Sequence, residues 1–436
     1  MSGDTLKESA AVAGLKDWKR HLNLIVVALV IVKALLMLFP CDAIDMAGYK
    51  AWSTHLATRG FDDFYETWHV VYAPGYMYLL WISGKLAAIF NLLPKAHELL
   101  IKIWSVAADL AGAYLIFKIG EKIGRERLGF WVGLIYALNP AVFFNSSVWG
   151  QFESIGATLL LLTVYCFLND LGLIGVIAFV TAVLVKPQSA MLAPIAAALF
   201  FKEFTWRKFG LAVLAGLGTY LLIVIPFSAG KPIYWIVQHF IASGGDYPYA
   251  TANAFNFWTI LGGQSVADDL PFWGLTYAVW SLIFVGAVIG FVLWLVWRYG
   301  NSPAMVYWSA YLLTFGVFLF GSRMHERYLF PALIFLTVSL LWNARLWLPT
   351  VILSLCHFGN TFYIYIRGWL SVGSAHPALA GIRQWLVNRE RVSISIWAPA
   401  NDPVGLVIAW FTLAVFIYSL YITYERWNDL TAKKTE

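Results

Sequence analysis

Charge and cysteine are both scarce in this chain. Of its 436 residues only 12% are Asp, Glu, Lys or Arg, whereas 60% are hydrophobic. A soluble domain carries about 25% charged residues, so a soluble globular protein is excluded. Cys41, Cys166 and Cys356 stand far apart without ligand spacing. That pattern points to neither a zinc site nor a disulfide framework. No soluble domain, low-complexity tract or clear internal repeat is visible. The net charge of +6 is gathered in short clusters, which fits basic cytoplasmic loops better than nucleic-acid binding.

Aromatic residues, in contrast, are abundant, with 22 Trp, 22 Tyr and 31 Phe, and the mean hydropathy is +0.70. Repeated apolar stretches are long enough to cross a hydrocarbon core of about 30 Å. The expectation is an all-α polytopic membrane protein. Its N-terminal segment, 1–21, ends in Lys16, Lys19 and Arg20, so the first span, 22–39, runs from the cytoplasm outward. The n-region is long and the apolar run ends at Pro40 without an A-x-A site, so no cleaved signal peptide is expected.

Later basic clusters set the remaining orientation. They are Lys118, Lys122, Arg125 and Arg127; Lys202, Arg207 and Lys208; Arg298; Arg345; and Arg426, Lys433 and Lys434. All should be cytoplasmic. If segment 72–92 crossed the bilayer, Lys118–Arg127 would lie outside, so it reads as an interfacial or re-entrant helix of a first external loop, 40–98. Further spans fall near 99–119, 129–146, 155–169, 171–186, 188–202, 209–226, 274–298, 304–321, 329–345, 347–366 and 403–424. With the first, that makes about twelve, and both termini lie inside. The main transmembrane module is then 22–366, followed by an external loop at 367–402 and a last helix with its tail at 403–436.

This topology sends every polar constellation to one face. The first external loop holds Asp42 and Asp45, which read either as a general base or metal ligand, or as an N-cap and first-turn acid. Trp149, Gln151 and Glu153 can grip a sugar by stacking and hydrogen bonds, or form an aromatic belt with ordinary caps. Lys186 and Gln188 flank Pro187, where the lysine is a phosphate ligand or a snorkelling end residue. Asn256 and Trp258 lie in an aromatic-rich loop, 227–273. Two charges fall inside spans at similar depth, Lys33 and Asp109, and a buried structural pair is expected.

The least ordinary cluster is Arg323-Met324-His325-Glu326-Arg327. Arg323 and Arg327 share a face if the segment is helical, and arginine forks suit phosphate oxygens. The competing reading is a salt-bridge knot in which Glu326 neutralises one arginine.

Taken together these residues resemble the GT-C superfamily of integral membrane glycosyltransferases that use polyprenyl-phosphate sugars. The matching points are Asp45 with Trp52, Tyr72-Ala73-Pro74-Gly75-Tyr76, and Asn139-Pro140 leading to Trp149-Gly150-Gln151. Lys186-Pro187-Gln188, Asn256-Phe257-Trp258 and Arg323-Met324-His325-Glu326-Arg327-Tyr328 complete the set. The look is nearest to prokaryotic mannosyltransferase-like members, and more distantly to endoplasmic-reticulum transferases using dolichyl-phosphate-glucose. Two departures stand out: relatives often read Trp-Gly-Gln-x-Asp where this chain has Glu153, and Tyr-Pro-Pro-Gly where it has Tyr-Ala-Pro-Gly.

The resemblance implies a GT-C fold and inverting transfer of one hexose or pentose from a polyprenyl-phosphate donor to an acceptor hydroxyl. Asp45 would be the base, with Asp42 and Glu153 as supporting acids. Arg323, His325, Arg327 and Lys186 would hold the donor phosphate. Trp52, Tyr72, Trp149, Gln151, Gln188, Asn256 and Trp258 would contact sugar or acceptor. No metal is required by this scheme. The partners implied are the lipid-linked sugar, membrane lipid and a glycan, lipid or protein acceptor, and no nucleic acid. The active site would face the extracytoplasmic side of a prokaryotic plasma membrane, or the lumen of a eukaryotic endoplasmic reticulum. Two rivals remain at this stage: a transporter or flippase, which should show repeat symmetry and midplane breaks, and a ligase or polymerase of lipid-linked glycans.

Overall fold

The computed structural model describes residues 23–202, 205–371 and 395–432, with positions 381, 384 and 388 between the last two. The segment 1–21, most of the loop 367–402, and Lys433 and Lys434 lie outside the described residues. Apart from one two-stranded hairpin, β1 (Pro271–Phe272) and β2 (Leu275–Thr276), the regular structure is helical.

The helices follow the apolar runs and break where the sequence supplies caps, prolines and glycines. They are α1 (Asn23–Leu36), α2 (Ala43–Arg59), α3 (Phe64–Thr67), α4 (Pro74–Ile89), α5 (Pro94–Lys122), α6 (Glu126–Ala137) and α7 (Pro140–Phe143). Next come α8 (Glu153–Phe167), α9 (Gly172–Val185), α10 (Ala193–Lys202), α11 (Trp206–Val224), α12 (Trp235–Ser243) and α13 (Phe257–Ile260). The chain ends in α14 (Tyr277–Tyr299), α15 (Pro303–Phe320), α16 (Phe330–Ser339), α17 (Trp347–Ser371) and α18 (Pro403–Ala432).

Five of these helices are long and apolar enough to cross a membrane: α5, α11 with its 3-10 extension to Phe227, α14, α15 and α18. A sixth crossing arises if α6 and α7 with its following π-turn, bent by 49°, form one span. The bend falls at Asn139-Pro140, where proline removes a backbone donor and Asn139 caps the new helix through Ala141 N at 3.0 Å. Several long apolar helices thus fit a membrane-embedded, polytopic chain.

Other expected spans are shorter. α8 and α9 have 15 and 14 residues. At about 1.5 Å per residue each covers roughly 20 Å, less than the hydrocarbon core. The run at 329–345 yields only the ten residues of α16, all of them buried. It is an interior helix at the centre of the main core, packed against α15, α8 and α17. The segment expected to be interfacial forms α4, which packs on α2, α5 and α9 and is not among the five long apolar helices.

Inside the bundle Lys33 Nζ donates to Asp109 Oδ2 at 2.6 Å, and both side chains are fully buried. Ser146 and Ser154 hydroxyls also donate to this carboxylate. The expected pair is present, and the serines satisfy lone pairs that one lysine could not. Lys102 crosses from α5 to the end of α1, donating to the carbonyls of Met37 and Phe39 at 3.0 Å each. The loops after α1, α12 and α15 and the segment 395–402 gather at one end of the bundle, His325 bridging Asn253. There Tyr365 Oη donates to Pro40 O at 2.7 Å, and Ala398 N to Asn253 Oδ1 at 3.0 Å.

Candidate functional site

Asp42 ends the loop after α1 and caps α2, its Oδ1 accepting from Ile44 N at 3.1 Å and Asp45 N at 3.0 Å. Asp45 therefore stands in the first helical turn. Opposite it, the π-turn Phe144–Trp149 closes on Gly150, whose φ of +87° suits glycine. That left-handed residue lets Trp149 and Gln151 reach the same oxygen. Asp45 Oδ2 accepts from Trp149 Nε1 at 2.9 Å and from Gln151 Nε2 at 2.5 Å. Tyr49 Oη, one turn beyond Asp45, donates to Gln151 Oε1 at 2.9 Å and locks the amide.

Arg327 supplies the third donor, Nη1 lying 3.2 Å from Asp45 Oδ2. Its guanidinium also sits 5.5 Å from the Trp149 ring, within cation–π range. Asp45 Oδ1 accepts no hydrogen bond among the described residues, and the side chain is 27% exposed. One carboxylate oxygen is thus clamped and the other is open.

Behind Arg327 the charges alternate. Glu153, in the first turn of α8, contacts Lys186 Nζ through Oε1, and the same oxygen lies 3.7 Å from Arg327 Nε. Glu326 Oε1 lies 3.6 Å from Arg327 Nε. Lys186 follows the last turn of α9, its Nζ 4.5 Å above the Phe152 ring. It reaches this place because α4 and α9 touch: a Cβ on Gly75 would stand 2.6 Å from Leu184 O. Glu153 Oε2 and Arg327 Nε are buried without a hydrogen-bond partner.

Burial governs the loop that carries Arg327. It pushes the Glu326 carboxyl up to about 7, against the pull of the Arg327 charge. It pushes the His325 imidazole down to about 3, helped by the cations Arg327 and Lys186. His325 is therefore neutral at physiological pH. Asp42 is raised as well, first by burial and then by the neighbouring Asp45 charge.

The structure brings together Asp45, Trp149, Gln151, Glu153, Lys186 and Arg327, and it separates Arg323 from them. Residues 321–325 are not helical, and Arg323 takes a φ of +60°. The shared helical face therefore does not form. Arg323 instead grips Asp268, Nε to Oδ2 at 2.7 Å and Nη2 to Oδ1 at 3.2 Å, and its Nη1 donates to Gly244 O. Both arginines are therefore paired: Arg323 with Asp268, and Arg327 with Asp45, Glu153 and, as the salt-bridge reading expected, Glu326.

Four expected sugar contacts also need correcting. Gln151 is fully buried, with Nε2 on Asp45 and Oε1 on Tyr49. Trp149 is nearly buried and its indole N–H is committed to Asp45. Asn256 is fully buried, capping α13 through Trp258 N and donating to Phe318 O at 3.0 Å. Trp258 is fully buried too, its Nε1 on Phe320 O at 2.8 Å. These last two fasten the loop 250–264 to the end of α15 and offer no polar atom to a ligand. Trp52 packs by its ring on Tyr49, Phe64 and Tyr72.

A cavity of about 220 Å³ adjoins the charged cluster, walled by Tyr72, Gln188, Tyr247, Arg323, His325 and Tyr328. Tyr49, Tyr328 and Asp268 were not given a role from sequence, and Tyr247 only as part of an aromatic-rich loop. Tyr49 was findable, because position i+4 from Asp45 shares its helical face; Asp268 carried no signal. Among the described residues no three His, Cys, Asp or Glu side chains gather as a metal ion would need.

Compared with protein-family models and with curated protein sequences, the chain matches none.

Proposed function

We propose that this chain is an inverting glycosyltransferase that moves one sugar from a polyprenyl-phosphate donor to an acceptor hydroxyl. The observation that carries the reading is the asymmetric carboxylate of Asp45. Oδ2 is held by Trp149, Gln151 and Arg327, and Oδ1 is open. A carboxylate fixed on one side and free on the other is oriented for proton transfer.

In the step proposed, Asp45 Oδ1 takes the acceptor's hydroxyl proton while the hydroxyl oxygen attacks the anomeric carbon. The bond from that carbon to the phosphate oxygen breaks, and the electron pair leaves with the polyprenyl phosphate. Arg327 and Lys186 lie where the growing phosphate charge needs cations. His325, being neutral, contributes a hydrogen bond and no charge. Arg323 is held apart by both oxygens of Asp268, whereas Arg327 and Lys186 share Glu153 at the side of Asp45. Glu153 spaces the two cations, and Asp42 shapes the helix that presents Asp45.

The proposal includes the GT-C fold and about twelve crossings: the six above, α1, α8 and α9 in a locally thinned bilayer, and α10, α16 and α17 inside the bundle. It also puts the site on the extracytoplasmic face, because one apolar segment, α6–α7 or α16, separates the basic residues Arg125 and Arg345 from Trp149 and Arg327, so that they lie at opposite ends of that segment.

The test is a transfer assay of the purified chain in lipid nanodiscs with a panel of polyprenyl-phosphate hexoses and pentoses, and Asp45→Asn as control. Transfer by the parent chain and its loss in the variant support the reading. Failure of every donor to transfer or to bind overturns it.

A further inference from the structure

The cavity beside the charged cluster has four polar groups on its wall without a protein partner. Among the described residues nothing hydrogen-bonds the hydroxyl of Tyr72, Tyr247 or Tyr328, or the side-chain amide of Gln188. Tyr72, Gln188 and Tyr328 are half-buried and Tyr247 is exposed, so all four can be reached from outside the protein. The cavity is also electrically quiet. Arg323 on its wall is matched by both oxygens of Asp268, and His325 is uncharged because burial and the cations Arg327 and Lys186 hold its proton off. A phosphate would find there no unbalanced cation, and an acyl chain would leave the polar groups unpaired.

Neutral, aromatic-walled and rich in free hydroxyl and amide groups, the site has the chemistry that a sugar ring satisfies. C–H faces pack on the rings, and hydroxyls exchange hydrogen bonds with Tyr and Gln. About 220 Å³ is smaller than an ordinary drug-sized pocket and suits one sugar unit. His325 holds the wall in place: its backbone bridges Ala252 and Asn253, and its ring lies edge-on to Tyr247 at 4.7 Å between centroids. The cavity meets the charged cluster through Tyr72 and Tyr328, whose rings lie 5.7 Å and 6.0 Å from Lys186 Nζ.

We infer that this cavity binds the terminal sugar of the acceptor, so that the acceptor is a glycan and neither a peptide nor a bare lipid alcohol. The inference rests on the glycosyltransferase reading for the word acceptor, but the cavity's affinity for saccharide is measurable without any transfer. The peptide reading fares worse because no carboxylate or unbalanced cation lines the cavity to meet a peptide's charges, and the lipid reading because a hydrocarbon chain on this largely apolar wall would leave the three hydroxyls and the amide unmatched.

The experiment is saturation-transfer NMR on the full chain in nanodiscs, with neutral hexose disaccharides and their methyl glycosides as probes. At least one should bind saturably, and Tyr247→Phe combined with Gln188→Ala should weaken it at least tenfold. Each substitution removes hydrogen-bonding groups while keeping the backbone, and an unchanged melting temperature separates lost binding from lost folding. No saturable binding, or binding untouched by the double variant, overturns the inference. Displacement of the saccharide by a short polyprenyl phosphate also overturns it, since the cavity would then belong to the donor. Saccharide binding without transfer from any donor leaves the inference standing and sinks the glycosyltransferase reading.

Discussion

Asp45 and Arg327, 282 positions apart, form an ion pair of 3.2 Å in which the guanidinium and the indole of Trp149 share one carboxylate oxygen. The pair couples the proposed base to the proposed phosphate ligand. On the proposed reading, an arriving phosphate and Asp45 would compete for the same guanidinium.

Asp45→Asn keeps the shape and loses the proton acceptor. Turnover should fall by about 100-fold or more, with donor affinity retained, as read from steady-state transfer and donor binding on one preparation. Full turnover in the variant removes Asp45 from the role.

Asp42 offers the contrast. Its Oδ1 is committed to two backbone amides, so Asp42→Asn, which still caps, should keep turnover within a few-fold, whereas Asp42→Ala should lower stability by about 1 kcal/mol. A collapse of turnover in Asp42→Asn without loss of stability would show a chemical role for this carboxylate.

The buried pair of Lys33 and Asp109 should behave as a unit. Asp109→Ala strands a lysine in the core and should destabilise by about 3–5 kcal/mol. Adding Lys33→Met should recover part of that loss. Thermal unfolding of the two single variants and the double variant measures the coupling; additive losses would mean that the two side chains act independently.

Glu326 and His325 should tilt stability with pH in opposite directions. The folded chain holds the Glu326 proton up to about 7, above the ordinary carboxylate range, so it binds more protons than the unfolded chain between about 4.3 and 7. Stability from this group is full at low pH and falls as pH rises through that window. His325, held down to about 3, has the reverse effect: the unfolded chain binds the extra proton between about 3 and 6.5, so acidification destabilises. Glu326→Gln should gain on the parent chain as pH goes from 5 to 8, and His325→Gln should gain on it as pH goes from 6.5 to 4. Parallel melting curves at all pH values would contradict both assignments.

Much of the site was legible as a set of positions and little of it as a set of contacts. Lys33 and Asp109 could be paired from sequence because two opposite charges at matching depth in apolar helices have few alternatives. Asp45, Trp149, Gln151, Lys186 and Arg327 could be singled out as polar residues at the ends of apolar runs. Arg323 was misread because its partner, Asp268, lies 55 residues away in an irregular loop, and a left-handed backbone at Arg323 cancelled the helical spacing. Asn256 and Trp258 looked like ligand contacts because amides and aromatics serve equally to pin a loop.

The number of apolar runs also overstated the number of long spans. Hydropathy reports that a segment leaves water; it does not say whether lipid or protein receives it. α16 is mostly apolar and all ten of its residues are buried inside the protein.

Composition and periodicity by themselves determined that this is a helical, membrane-embedded chain with its unusual polar groups at helix ends. Those properties are sums over residues, because the cost of moving each side chain out of water adds along the chain. Only the tertiary structure decided that Asp45 Oδ2 would meet Trp149, Gln151 and Arg327, that Asp268 would take Arg323, and that a neutral cavity would open beside them. Such contacts join residues far apart in the chain, and directional hydrogen bonds form only where packing has already placed both partners.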